Sequence, residues 1–156
     1  MPKLIKDRSI VEDSFTLLKL NADGSLPTVP ASGDVIVPLA VWKAQKDALL
    51  ARQGQTGVWI DSHEEVEDLG SDASKFTVVA VNFPAFTDGR GFSTGRLLRE
   101  RYGYQGELRA FGDVFKDLLY FMLRCGFNAF VVRDDKNIDE ALKGLNDFSD
   151  AYQVAV

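Results

Sequence analysis

The sequence predicts an α/β fold: a single domain with a mostly parallel sheet, built from βα units in the C-terminal two-thirds. Two observations carry this prediction. Short apolar runs alternate with helix-like segments along that part of the chain, and a length of 156 residues with 46% hydrophobic residues suits one compact domain. Within the domain, residues 1–34 are predicted to be an extended or hairpin segment with a loop, and residues 35–156 the α/β core.

The first half of the chain contains one clear helix and two strands. Residues 9–20 are predicted to be extended, and residues 21–34 are rich in Gly, Pro, Ser and Asp, which is typical of a loop. A helix is predicted to begin at Leu39 and to end before Gly54. The apolar runs at residues 57–61 and 76–83 are predicted strands, the second one covered on both faces.

The two predicted strands are joined by an acidic stretch without a basic residue. A solvated connection explains it better than a metal site, because the glycine punctuation of a calcium loop is missing. The carboxylates are those of Asp61, Glu64, Glu65, Glu67, Asp68 and Asp72.

The second half of the chain is more regular, since helix-like and strand-like segments alternate. This alternation favours parallel strands with right-handed crossovers and helices on the faces of the sheet. The loops after the strands are where a ligand site is expected in an open α/β sheet. The predicted segments are a helix at 92–102, a strand at 107–110, a helix at 114–125, a strand at 128–133 and a helix at 138–148.

The overall composition excludes several classes of function. With 18 Lys+Arg against 23 Asp+Glu the net charge is −5, so a nucleic-acid or anionic-membrane binder is disfavoured. One cysteine and one histidine cannot form an intrachain disulfide, a Cys/His zinc site or an iron–sulfur cluster. No apolar run resembles a signal peptide or a transmembrane helix, so the protein is predicted to be cytoplasmic, with no metal and no cofactor.

Arginine is concentrated in the second half of the chain. Seven of the nine arginines lie beyond residue 89, where the charge is nearly balanced, whereas residues 1–75 are strongly acidic. Because guanidinium groups bind carboxylates and oxyanions through paired hydrogen bonds, this distribution favours a local anion site over a general polyanion surface.

The most informative segment is NFPAFTDGRGFSTGRLLR, residues 82–99, in which a strand, a glycine-rich loop and a helix follow one another. Glycine allows close backbone approach, and the first turn of a helix offers free N–H groups. An oxyanion cradle is therefore predicted, formed by Gly89, Arg90, Gly91 and Ser93. A tight loop with a helix cap explains the same glycines, whereas the spacing does not fit a dinucleotide-binding loop or a P-loop.

Charged residues also interrupt the predicted strand GELRA. Glu107 and Arg109 are two residues apart and share one face, where they must be paired or face a cavity. One hypothesis is functional: Arg90 and Arg109 bind an anion, while Asp88, Glu107 and Asp113 orient them or exchange protons as catalytic groups. The alternative is a stabilising ion-pair network among the same five residues.

The helix that runs from Val114 to Leu123 is apolar over most of its circumference. Burial within the domain is the simpler interpretation, and a homodimer interface is the alternative. Cys125 at its end is predicted to be buried and inert, because no activating partner is evident. His63 is predicted to be a surface residue.

Four blocks of sequence together resemble a known bacterial family, domain of unknown function 934. They are FPAFTDGRGFS, LR, GELRAFGDV and RCGF, and they occur in the family's order. The resemblance is strongest between Phe76 and Phe130. The positions that fall on the family motif are Asp88, Gly89, Arg90, Gly91, Ser93, Arg99, Gly106, Glu107, Arg109, Gly112, Asp113, Arg124, Cys125 and Gly126.

The resemblance implies a pathway without a mechanism. Members of this family are typically encoded beside genes of assimilatory sulfite reduction and are often labelled oxidoreductases. Three functions follow as expectations: an accessory protein that binds a small oxyanion or the sulfite reductase hemoprotein, an enzyme that uses acid/base carboxylates on a small anion, or a non-catalytic interaction subunit.

Overall fold

The computed structural model describes residues 2–85 and 89–155 and contains one eight-stranded sheet with four α-helices. The strands are β1 (Lys3–Lys6), β2 (Ser9–Glu12), β3 (Thr16–Leu17), β4 (Val35–Pro38), β5 (Thr56–Ile60), β6 (Val78–Phe83), β7 (Glu107–Gly112) and β8 (Ala129–Phe130). The helices are α1 (Leu39–Ala51), α2 (Arg90–Glu100), α3 (Lys116–Arg124) and α4 (Ile138–Ala155). The predicted α/β class with a mostly parallel sheet is confirmed.

The order of the strands is β2-β1-β8-β7-β6-β5-β4-β3. From β3 to β8 every strand pairs in parallel with the next one in the chain, and the β1–β2 hairpin adds antiparallel to β8. The predicted N-terminal extended segment is thus resolved into a hairpin and one short strand, so the first residues of the chain complete the sheet.

The helices lie on one face of this sheet. All the buried apolar residues of the described helices belong to one large core cluster, which also contains Val58, Val79, Val81 and Leu108 from the strands. Right-handed crossovers between strands that are neighbours in both sequence and space place every helix on the same side. Helices therefore do not cover both faces, although β6 is buried on both.

The other face is concave and is covered by the chain itself. A smaller cluster there contains Trp59, Val78 and Ala80, with Phe15 packed against them. β2 and β3 lie at opposite edges of the sheet but are separated only by residues 13–15, which reach about 14 Å at most. Eight flat strands would place those edges about 34 Å apart. The sheet must therefore curl, and residues 13–15 bridge its edges.

Two glycines of α2 set how closely this helix packs against the sheet. A Cβ atom on Gly91 would lie 2.5 Å from the Phe83 ring, and one on Gly95 would overlap the Phe127 ring. The two rings pack edge to face, with centroids 5.5 Å apart. Gly91, which the sequence predicts as part of an anion loop, is buried and serves this close contact.

Candidate functional site

The carboxyl ends of β5, β6 and β7 form a polar rim at one end of the curled sheet. Asn82 on β6 donates a hydrogen bond from Nδ2 to Asp61 Oδ1 at 3.0 Å. The Asn82 side-chain oxygen lies against Gly112, the last residue of β7. A Cβ atom added to Gly112 would be only 2.5 Å from Asn82 Oδ1, so no larger residue fits there. Gly112 has a positive φ of 98°, which glycine adopts without strain. Asn82 therefore links the ends of three neighbouring strands.

Asp113 follows β7 on the same rim and is held by an arginine. Arg133 donates from Nη1 to Asp113 Oδ1 at 2.7 Å, and from Nε and Nη2 to the two oxygens of Asp135 at 3.0 and 2.9 Å. The carboxylates of Asp135 and then Asp113 raise the pKa of Arg133. Asp113, predicted as a catalytic group, is thus the acceptor in a charge-assisted pair.

The predicted oxyanion cradle lies at the start of α2, beside this rim. Gly89 precedes the helix, Arg90 and Ser93 are exposed in its first turn, and the first turn contains no acidic residue. Asp88, predicted as a catalytic group, lies outside the described residues. The first turn therefore combines backbone donors, a hydroxyl and a guanidinium at the carboxyl end of a central strand.

Glu107 and Arg109 lie on the concave face and form an ion-pair cluster with two residues of the N-terminal segment. Arg109 donates from Nε to Glu107 Oε2 at 2.7 Å and from Nη1 to both oxygens of Asp13 at 3.1 and 3.0 Å. Lys6 Nζ lies 3.3 Å from Glu107 Oε1. Glu107 and Arg109 are only 8% and 4% exposed. We call these four residues, Lys6, Asp13, Glu107 and Arg109, the interior ion-pair cluster.

The interior cluster is closed and electrically balanced. Its two cations face two carboxylates, and the Phe15 ring covers the Arg109 guanidinium, with 5.3 Å from Cζ to the ring centroid. The expectation that Glu107 and Arg109 share one face is confirmed, and they pair with each other. A buried arginine with two carboxylate partners is an ion pair of the protein core, with no excess positive charge for an external anion.

The predicted site residues therefore divide between two places. Arg109 points to the concave face, whereas α2, which carries Arg90, packs on the opposite face. Glu107 is the first residue of β7 and Asp113 follows its last, so the two lie at opposite ends of the strand. Asp113 pairs with Arg133 at one end of β7, whereas Glu107 pairs with Arg109 on the concave face. Asp88, the fifth residue of the predicted network, lies outside the described residues.

Three residues of the interior ion-pair cluster and the polar rim were not predicted from the sequence. Asp13 and Lys6 belong to the N-terminal segment, which reaches β7 only because the sheet curls. Asn82 had a visible signal, since it is the one polar residue near the end of the apolar run FTVVAVNF. A side-chain amide in a covered strand needs hydrogen-bond partners, which mark a junction or a site.

Arg99, a family-motif residue, has a structural task. It donates from Nε to the Gly126 carbonyl at 2.8 Å, and from Nη1 to the carbonyls of Tyr104 and Gly106 at 2.8 and 2.9 Å. Burial lowers its pKa. Arg99 thus provides hydrogen-bond donors for backbone carbonyls in two loops that pack against α2. Because these donors are used there, Arg99 is a structural residue.

Cys125 is buried and His63 is exposed, as the sequence predicts, but Cys125 has a neighbour that was not predicted. Cys125 is 9% exposed, but Arg96 Nη2 lies 3.6 Å from its Sγ, so the thiol has a cationic neighbour that the sequence did not indicate. The His63 side chain is 73% exposed and lies 3.8 Å from Asp61 Oδ2. In the described part of the chain, no group of His, Cys, Asp or Glu side chains has the arrangement of a metal site.

These features define a class: an α/β protein with a curled, mostly parallel sheet, helices on its outer face and a balanced ion-pair cluster on its inner face. The chain belongs to the family described as "Bacterial protein of unknown function (DUF934)", which matches residues 57–156. It matches no curated protein and no solved structure. Among the described residues, no helix has the length and apolarity needed to cross a bilayer.

Proposed function

We propose that this protein is an accessory factor of sulfite reduction that binds a small oxyanion at the first turn of α2. The observation that carries the proposal is the composition of that turn, where Arg90 and Ser93 are exposed and no acidic side chain is present. The backbone N–H groups of a helix's first turn and the positive end of the helix dipole favour an anion at such a position. Its position at the carboxyl end of β6 is where open α/β sheets bind ligands.

Arg109 and Glu107 have no direct part in this proposal. The interior ion-pair cluster already neutralises the guanidinium, and an anion would have to displace Asp13 or Glu107 to reach it. Removing either carboxylate from a buried charge costs about 3–5 kcal/mol. The anion ligands are therefore Gly89, Arg90, Gly91 and Ser93, through backbone N–H groups, one guanidinium and one hydroxyl.

The assignment to sulfite reduction rests on the family resemblance, and it makes the sulfite reductase hemoprotein the proposed partner. Because the helix terminus is exposed, an oxyanion bound there can be transferred to the hemoprotein or can affect how the two proteins bind each other. Asp113 is a carboxylate on the rim, and its pair with Arg133 suits it to orienting side chains there. This role involves no proton exchange by Glu107.

Titration followed by amide NMR tests anion binding. Sulfite, sulfate and phosphate are added to the parent, to Arg90→Ala and to Arg101→Ala, a matched control at the other end of α2. We expect saturable shifts of the amides of residues 90–93 in the parent and the control, and affinity about tenfold weaker in Arg90→Ala. Equal affinity in all three proteins would refute the proposal.

Partner binding is tested separately with purified sulfite reductase hemoprotein on a sensor surface. We expect the parent to bind and Arg90→Ala to bind more weakly in the presence of sulfite. No binding by the folded parent would remove the hemoprotein as partner while leaving the anion site to its own test.

A further inference from the structure

A second candidate site lies on the outer flank of the molecule, in a groove between α2 and α3. We call it the α2–α3 groove. It has a volume of about 540 Å³ and is lined by Phe92, Arg96, Phe121, Arg124 and Cys125. This volume lies within the range of pockets that hold small organic ligands. None of the proposed oxyanion ligands, Gly89, Arg90, Gly91 and Ser93, lines this groove.

Two aromatic side chains supply its apolar surface. Phe121 on α3 is 54% exposed, which is unusual for a phenylalanine, and Phe92 on α2 is half-buried. An exposed ring gains burial when a flat apolar group packs on it, and aromatic pairs are favoured in offset or edge-to-face geometry. The groove therefore favours a planar ring as its occupant.

The charge of the groove has one sign. Both charged side chains that line it are arginines, in a chain with a net charge of −5. Arg96 is exposed, and its described hydrogen bond is to the Cys125 thiol, with Nη2 3.6 Å from Sγ. A thiol is a weak acceptor and leaves the guanidinium charge available for an anion.

We propose that the α2–α3 groove binds a small aromatic anion, a planar ring that carries a carboxylate or sulfonate. The ring lies against Phe92 and Phe121, and the anionic group is bound by the Arg96 guanidinium. Arg96 is one helical turn beyond Phe92 and lies against the end of α3, so the anionic group is bound away from the first turn of α2, and the ligand chemistry differs. It does not depend on the proposed function.

The probe for the test is 8-anilinonaphthalene-1-sulfonate, whose fluorescence rises on binding. We expect saturable binding at one site in the parent. Affinity should fall about tenfold in Arg96→Gln and Phe121→Ser and should be unchanged in Arg101→Gln, an exposed control on the same helix. Arg96 and Phe121 are exposed, and the urea midpoint of each variant verifies that it folds.

Cys125 provides an independent readout because it is the only cysteine in the chain. We expect the probe to slow its alkylation by iodoacetamide in the parent and not in Phe121→Ser. Unchanged probe affinity in both variants, or saturating probe without protection of Cys125, would overturn the proposal. Sulfite added alone should shift the amides of residues 90–93 without protecting Cys125, which separates this site from the oxyanion site.

Discussion

Arg109 binds Asp13 across 96 positions of sequence, with Nη1 3.1 and 3.0 Å from the two carboxylate oxygens. This contact joins β7, a central strand of the sheet between β8 and β6, to the segment that bridges the two edges of the sheet. Both side chains are nearly buried, with 5% and 11% of their surfaces exposed. The pair therefore holds the curled sheet together on its concave face.

Asp13→Asn is expected to lower the free energy of unfolding by about 3 kcal/mol, because Arg109 keeps its charge while losing one of two carboxylate partners in the interior. Urea denaturation of the parent and the variant measures the change. The control is Glu12→Gln, which removes a carboxylate from the exposed neighbouring position. A similar small loss in both variants would mean that the Asp13–Arg109 pair contributes no stability.

A double-mutant cycle separates this ion pair from packing. In an Arg109→Met background, Asp13→Asn should cost much less than in the parent, since no buried guanidinium is left unpaired. Equal costs in the two backgrounds would show that the Asp13 carboxylate contributes independently of Arg109. Urea midpoints and slopes give both values.

Gly95→Ala is expected to destabilise the protein by about 2 kcal/mol, although alanine in a helix is normally better than glycine by about 1 kcal/mol. The physical reason is that the added methyl group would overlap the Phe127 ring, which is itself fully buried. Thermal unfolding detects the change. Glu100→Ala, at an exposed position of the same helix, should be nearly neutral, and stabilisation by Gly95→Ala would contradict the close packing of α2.

Tyr104 is expected to make the protein sensitive to alkaline pH. Its hydroxyl has one proton to donate, with the carbonyls of Phe76 and Glu107 as acceptors at 3.2 and 3.0 Å, and burial raises the pKa of Tyr104. Because the folded-state pKa is above the unfolded value of about 10, the stability from the neutral phenol is fully present below pH 10. It is lost as pH rises from there through the folded-state pKa.

Tyr104→Phe should therefore be less stable at pH 8, by about 1 kcal/mol for the lost hydrogen bond, yet lose stability less steeply above pH 10. Urea unfolding at a series of pH values measures the two slopes. Tyr102→Phe, a less buried neighbour, serves as the control and should keep the slope of the parent. Parallel slopes for the parent and Tyr104→Phe would disprove the role of burial.

Asn82→Asp is expected to bring two carboxylates to the distance of the present hydrogen bond, 3.0 Å from Asp61. One carboxyl pKa of the pair should rise above its ordinary value of about 3.9. The free energy of unfolding of the variant should then be closest to that of the parent near pH 4, where one carboxyl is protonated. It should fall by about 2 kcal/mol relative to the parent as pH rises to 7. Asn82→Ser, which introduces no charge, should show no such pH dependence in urea unfolding. An Asn82→Asp profile parallel to that of Asn82→Ser would argue against direct coupling of the two carboxylates.

Local patterns predicted most of the elements. The strand at 107–110 and the helix at 92–102 appear as β7 and α2 with ends shifted by two residues, because apolar periodicity locates an element better than its ends. The strand at 128–133 shortens to Ala129–Phe130. The β4 strand was missed: VIVP is too short for its periodicity to be distinguished from the start of the helix that follows.

The sequence predicted several of the charged residues of the candidate site, but only some of their pairing partners. Alternation along a strand places Glu107 and Arg109 on one face, and their pairing follows from the cost of isolated buried charge. Nothing local shows that Asp13 completes the pair, or that Asp113 turns to Arg133 instead. Those partners depend on the curl of the sheet and on the order of its strands.

The sequence alone determined the class of fold, the family and the concentration of arginine in the second half, since each is a property of local pattern or composition. Only the tertiary structure decided which arginines are available. Arg109 is paired with carboxylates and Arg99 donates its hydrogen bonds to backbone carbonyls, whereas Arg96 lines a groove. The physical reason is that the electrostatic energy of a charged group depends on the groups in contact with it. In this protein those groups come from segments distant in sequence, which the curled sheet brings together.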